Sequence, residues 1–154
     1  MKISKLKYLY TLEHDVIFDT SIDFGELRYL KDDSGKIWAS VKGNVLIVER
    51  GYSWDGCTPK YKIKLFGRTF IFGISDGGVI RHKRKYFNEW APLRKYASLK
   101  HDVLCQFLDQ LRDVMHPDEA HLEFRNDLRK LNDPWANTYY NFVKLYWDYV
   151  RKHI

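Results

Sequence analysis

Hydrophobic and polar positions divide the chain into two parts of different period. In the first, Leu6, Tyr8, Tyr10 and Leu12 alternate with Lys7, Leu9 and Thr11, the period of two that a half-buried strand requires. Val16-Ile17-Phe18 is a short apolar run. Residues 27–30 and 37–41 flank Asp32-Asp33-Ser34-Gly35, which predicts a hairpin turn. Gly43-Asn44 marks the next turn and residues 45–48 the next strand. Residues 61–66 and 69–72, with Gly67-Arg68 between them, predict two more. No 3.6-residue stripe is sustained before residue 95.

The last third has helical spacing. Ser98 predicts the cap of a helix running to about residue 112, with Leu104, Leu108 and Leu111 on one face. Pro117 suits the first turn of a second helix, where Asp118 and Glu119 favour its positive end, and that helix runs to about residue 131. Asp133-Pro134 predicts another start. Trp135, Tyr139, Phe142, Val143, Tyr146 and Val150 then form a stripe whose expected place is the core. Strands followed by helices predict an α+β fold: an N-terminal antiparallel β-sheet, then three C-terminal helices. With no linker or repeat, residues 1–154 are expected to form one domain. Residues 1–96 are read as mostly β with a basic loop region, and residues 97–154 as helical.

Composition narrows the class. The 154 residues are 45% hydrophobic and 16% aromatic, which excludes a disordered chain. Two cysteines exclude a disulfide-dense scaffold. No run of about 18 apolar residues exists, so no membrane span is expected. Met1-Lys2-Ile3-Ser4-Lys5 leads into mixed polar sequence, so a signal peptide of the usual form is not expected either. The net charge of +6 is unevenly placed. Residues 60–100 carry +9, against −1 before them, −4 over residues 101–133 and +2 after. Lys60, Lys83, Arg84 and Lys85 are therefore candidates for an anion-facing surface that would meet phosphate, nucleic acid or an acidic partner; the alternative is a solvated loop balancing the acidic helices.

Three segments are rich in chemistry. Residues 51–60 read Gly-Tyr-Ser-Trp-Asp-Gly-Cys-Thr-Pro-Lys, a tight loop directly after an apolar strand, with Asp55 and Cys57 in it. Residues 75–78, Ser-Asp-Gly-Gly, read as a glycine turn. Residues 97–106 read Ala-Ser-Leu-Lys-His-Asp-Val-Leu-Cys-Gln; on a helix, His101 and Cys105 share one face and Asp102 and Gln106 the adjacent one. Imidazole and carboxylate are both metal ligands, and His121 lies within reach if the first two helices pack as a hairpin.

These residues resemble those of the phage and prophage proteins grouped as the domain of unknown function 1353 family. The family's loop pattern, Gly-hydrophobic-x-[Thr/Trp]-Asp-Gly-[Ala/Cys]-[Ser/Thr]-x-Pro, corresponds to residues 51–59, with its end compressed. A Pro-Asp-Gly element of one branch falls on Asp76-Gly77, preceded here by Ser75. The helix motif Ala-x-Leu-x-His-Asp-x-Leu-[Tyr/Cys]-Gln matches Ala97, Leu99, His101, Asp102, Leu104, Cys105 and Gln106. A later Ala-Asp-x-x-Phe element falls on Ala120 and Phe124, with His121 where the family has Asp. The match covers about residues 45–130. The resemblance implies a phage or prophage origin and a shared site, with no established reaction to carry over.

Two functions follow. One is a non-catalytic accessory protein of the virion, tail or host interaction, in the host cytoplasm or the virion, whose partners are phage structural proteins or a host protein. In it, Asp55, His101 and Asp102 form a buried network that pins the loop to the helix. The other is a metal-dependent hydrolase. Asp55, His101 and Asp102 would be catalytic and, with His121, would hold a divalent metal such as zinc that activates water against peptidoglycan peptides or phosphoesters. For the cysteines, two buried thiols are expected over a disulfide.

Overall fold

The computed structural model describes residues 2–5, 10–54, 61–72, 78–81, 84–87 and 91–150, with side chains described over 10–54, 66–67 and 94–148. Asp55, Cys57, Lys60 and Lys83 lie outside the described residues. The class is α+β, with antiparallel sheets in the N-terminal part and helices in the C-terminal part.

Strands β3 (Val16–Asp19), β4 (Arg28–Lys31), β5 (Ile37–Lys42) and β6 (Val45–Val48) form a sheet in the order β3-β6-β5-β4. The predicted β4–β5 hairpin turns where expected. The Asp32 carboxylate accepts hydrogen bonds from Ser34 N, Ser34 Oγ, Lys36 N and Trp38 Nε1. The Ser34 and Trp38 side-chain bonds above all hold its pKa down to about 2. Strands β1 (Lys2–Lys5), β8 (Tyr61–Leu65) and β9 (Arg68–Phe72) form a second sheet. Its hairpin turns at Phe66-Gly67, one residue earlier than expected, both with positive φ (48° and 71°), as a type I′ turn demands. Strands β2 (Tyr10–Thr11) and β7 (Ser53–Trp54) pair with each other.

The basic stretch departs from its expected loop form. Strands β10 (Gly78–Arg81) and β11 (Arg84–Phe87) pair antiparallel, with Arg81 opposite Arg84 and Ile80 opposite Lys85. The dense charge of this segment hid two short strands from the hydrophobic pattern.

Helix α1 (Ala91–Gln106) starts seven residues before the expected Ser98. Pro92, in its first turn, is the starting signal. Ser98 lies mid-helix, donating to Lys95 O at 2.8 Å. Phe107 separates α1 from the short α2 (Leu108–Leu111), so the expected single helix is broken in two. Helix α3 (Pro117–Lys130) begins as predicted, with Pro117 first; His116 and Glu119 close a reciprocal capping box. Helix α4 (Ala136–Leu145) continues into a π-helical turn, Tyr146–Val150. Asp133 accepts from Trp135 N at 2.9 Å at its start. Of the aromatic stripe, Tyr139 and Val143 are buried, whereas Trp135 is 57% exposed and outside the core.

Helix α1 belongs to both apolar clusters. Leu99, Val103 and Leu104 pack with Phe24, Leu30, Leu46 and Val48 of the four-stranded side. Ala97 packs with Phe124 and Leu128 of α3 and Tyr139 and Val143 of α4. Two buried cations reinforce the helices through ion pairs. Arg94 grips Asp133 through Nε and, at 2.7 Å, Nη2. Lys100 Nζ reaches Glu123 at 3.0 Å and Asp127 at 2.7 Å.

Candidate metal centre

Helix periodicity gives α1 two adjacent polar stripes, and each has its own partner. Ser98, Asp102 and Gln106 recur every four residues and receive the strand that precedes Asp55. Trp54 Nε1 donates to Ser98 Oγ at 3.2 Å. The Tyr52 hydroxyl donates to Asp102 Oδ2 at 2.8 Å and lies 2.6 Å from the Gln106 side-chain amide. Tyr52 and Trp54 are 3% and 1% exposed. Gly51, before them, has φ +86°, and a Cβ there would stand 3.7 Å from the Trp38 ring. Glycine is therefore the residue that lets the chain turn into this position.

This contact yields a test. Tyr52→Phe is expected to cost about 1–2 kcal/mol, because it leaves Asp102 without a donor it now has. Urea denaturation measures it; no change would mean that water replaces the hydroxyl without loss.

The second stripe, His101 and Cys105, faces α3. His101 Nε2 lies 2.8 Å from His121 Nδ1 and 3.4 Å from Cys105 Sγ. The three ligand atoms all lie within 4.8 Å of one another. His121 and Cys105 are buried, and His101 is half-buried. The rings of Phe124 and Trp147 close the group: Phe124 lies 5.0 Å from the His101 ring, and Trp147 meets the His121 ring edge-on at 5.8 Å.

A tetrahedral zinc ion, with bonds of about 2.0–2.3 Å, separates its ligand atoms by about 3.3–3.6 Å. The His101–Cys105 spacing of 3.4 Å already meets that, the two imidazole nitrogens at 2.8 Å need to part by about half an ångström, and Cys105 and His121, within 4.8 Å, need to settle into the same range. The donor set suits it chemically, since thiolate and imidazole together select zinc among the common divalent ions. Burial pushes the His121 pKa down, Lys144 adding to it, while Asp118 and Asp148 oppose. The neutral imidazole, the form that binds a metal, is therefore favoured. His121 Nε2 is buried and has no hydrogen-bond partner among the described residues.

Of the four metal candidates named from the sequence, the fold thus brings together His101 and His121. Asp102 is turned to Tyr52 on the neighbouring stripe. Asp55 lies outside the described residues. Arg84 and Lys85 lie on β11, and their side chains are outside the described set. Cys105 completes the group, although the metal set read from the sequence left it out. The signal for it was its four-residue spacing from His101. Trp147 carried no such signal.

A cleft of about 790 Å³ adjoins the group, lined by Cys105 and Trp147 together with residues of α2, the α2–α3 connection and the start of α3. No family model, curated protein or solved structure matches this chain. Among the described residues, no helix is long and apolar enough to cross a membrane.

Proposed function

We propose that the chain is a metal-dependent hydrolase in which His101, Cys105 and His121 hold a zinc-like divalent ion. The observation that supports this reading is the convergence of two imidazoles and a thiol from α1 and α3, their ligand atoms within 4.8 Å of one another. Three protein ligands among the described residues would leave the fourth position of a tetrahedral ion for water or substrate, as in catalytic rather than structural zinc sites. When bound, such an ion would supply Lewis-acid chemistry, lowering the pKa of water toward neutrality and polarising a carbonyl or phosphoryl bond, with His101, Cys105 and His121 holding it. Peptidoglycan peptides and phosphoesters are the substrate classes in view. Asp102 acts through Tyr52, as a positioning residue that fixes the rotation of α1 and hence the aim of His101 and Cys105.

The experiment is metal analysis of the purified, zinc-reconstituted protein by mass spectrometry. One equivalent is expected, with binding weakened about a hundredfold or more in His121→Ala and in Cys105→Ala. A folded wild-type protein that retains no ion after dialysis against a slight excess of zinc would sink the reading.

The second reading is a non-catalytic phage or prophage accessory protein, in the virion or the host cytoplasm. The Tyr52–Asp102–Gln106 contact favours it, since a satisfied polar network of this kind fixes a loop on a helix without any chemistry. Lys60, Lys83, Arg84 and Lys85 would then supply a basic face for nucleic acid or an acidic partner.

A further inference from the structure

We infer that the cleft beside Cys105 and Trp147 is the ligand cleft of the metal centre, and that it takes a peptide-like carbonyl compound with an apolar side group in preference to a phosphoester. This rests on the metal-binding reading and names the substrate class for it.

Two residues join cleft and centre. Cys105 contributes its thiol to the ligand group and its surface to the cleft wall. Trp147 lines the cleft and stands edge-on to His121. An ion held by His101, Cys105 and His121 therefore has the cleft as its neighbouring solvent space, and a ligand taking the fourth position would extend along it. Apolar Leu108, Val114, Met115 and Trp147 are among its lining. Apolar area of this kind is what a small-ligand site offers a ligand's side group.

Charge decides between the two substrate classes. The lining also carries Asp109, Asp113 and Glu119 against Arg112 and His116, whose ring lies 3.6 Å from Asp118. Arg112 is engaged with Asp109 at 2.8 Å. Arg28, beyond the rim, grips Asp113 with two bonds of 2.6 Å. Each guanidinium near the cleft is thus already matched by a carboxylate, and Glu119 is committed to His116 N at 2.6 Å. Along the cleft beyond the ion, a phosphoester dianion would meet carboxylates whose guanidinium partners are already engaged, which costs binding free energy. A neutral peptide carbonyl meets no such penalty, and its side chain gains contact with Trp147 and Met115. The +9 stretch contributes no described residue to this cleft.

The test uses the full chain loaded with cobalt(II), whose visible bands report the coordination sphere and whose thiolate charge-transfer band reports Cys105 itself. Benzohydroxamate stands for the carbonyl class and phenylphosphonate for the phosphoryl class; both carry the same ring. Benzohydroxamate is expected to shift the visible bands and to bind about tenfold or more tighter than phenylphosphonate. Trp147→Ala should weaken benzohydroxamate roughly fivefold with the thiolate band retained. Trp147→Phe keeps an aromatic edge against His121, serves if the alanine variant does not fold, and should weaken binding less. Cobalt bound with its thiolate band but indifferent to both probes would overturn the cleft assignment. Phenylphosphonate binding equally well or better would overturn the substrate class. Absence of a thiolate band would overturn the metal reading itself, and the inference with it.

Discussion

Lys100→Met is expected to destabilise the protein by about 3–5 kcal/mol, the cost of stranding buried charges by removing their partner. Lys100 is buried on α1 with its ammonium among three oxygens: Glu123 Oε2 at 3.0 Å, Asp127 Oδ2 at 2.7 Å and Asp19 O at 3.1 Å. The other oxygen of Glu123 accepts from Ser21 N at 2.5 Å and from the Ser21 hydroxyl. Methionine fills the space of the lysine stem but leaves two carboxylates facing each other away from bulk water. Their titration gives the loss a pH signature. Burial raises Glu123, but the Ser21 hydrogen bonds and Lys100 outweigh it and leave its pKa lowered. The stability Glu123 contributes is therefore present above its ordinary range and is lost as pH falls through the lowered value. Burial raises Asp127 further than Lys100 lowers it. Its contribution is favourable at low pH and is lost as pH rises through the raised value. Without Lys100 both pKa values must climb, so the deficit should be largest at neutral pH and shrink toward pH 4. Urea denaturation at pH 7 and pH 4 measures this. The triple variant Lys100→Met, Glu123→Gln, Asp127→Asn should recover most of the loss at pH 7. A deficit below about 1 kcal/mol, the range of a solvated pair, would show that water screens the cluster.

This cluster matters to the site because of where it lies in the chain. Lys100 precedes His101, and Glu123 follows His121 by two residues. The ion pair therefore fixes the axial position of α1 against α3 at the level of the imidazoles. Lys100→Met should consequently weaken zinc binding as well, even in molecules that remain folded.

Much of this architecture was legible in the sequence because it is written in local periodicity. The β4–β5 and β5–β6 turns follow from Asp32-Asp33-Ser34-Gly35 and Gly43-Asn44. The start of α3 follows from Pro117 with two acids behind it. The shared face of His101 and Cys105 follows from a spacing of four. Legibility failed where a local signal competed with a distant partner. Ser98 looks like a cap because a hydroxyl in the first turn serves that purpose; its partner is Trp54, 44 residues away. Asp102 looks like a metal ligand beside His101, but neighbouring helix positions are about 100° apart. That rotation sends it to Tyr52, 50 residues earlier. Asp133 looks like a simple cap, yet it also neutralises the buried Arg94, 39 residues earlier. Trp135 looks like core from spacing alone, but the α3–α4 turn leaves it in solvent. In each case the tertiary contact, invisible to any window of the chain, set the outcome.

Zinc is expected to raise the free energy of unfolding by about 4 kcal/mol when the free ion stands a thousandfold above its dissociation constant. The gain follows from linkage alone: the ion binds the folded arrangement of His101, Cys105 and His121, and unfolding scatters α1 from α3. At the same free zinc it should fall to about 1.4 kcal/mol or less in His101→Ala and in His121→Ala, and shrink in Cys105→Ser, where a hydroxyl replaces the thiolate. Acid should erode it in a defined direction. Burial holds the His121 pKa below its ordinary 6.5. Its contribution to the metal-free protein is thus fully present above that ordinary value and is lost as pH falls through the lowered one. Zinc binding adds its own proton release from the Cys105 thiol, so the zinc-dependent increment falls faster with acid than the stability of the metal-free chain. Thermal melts with zinc and with chelator at pH 7.5 and pH 5.5 separate the two effects. An increment that survives undiminished in His121→Ala would place the ion elsewhere. An increment independent of pH would exclude ligands that must lose protons to bind, and with them the imidazole–thiolate centre.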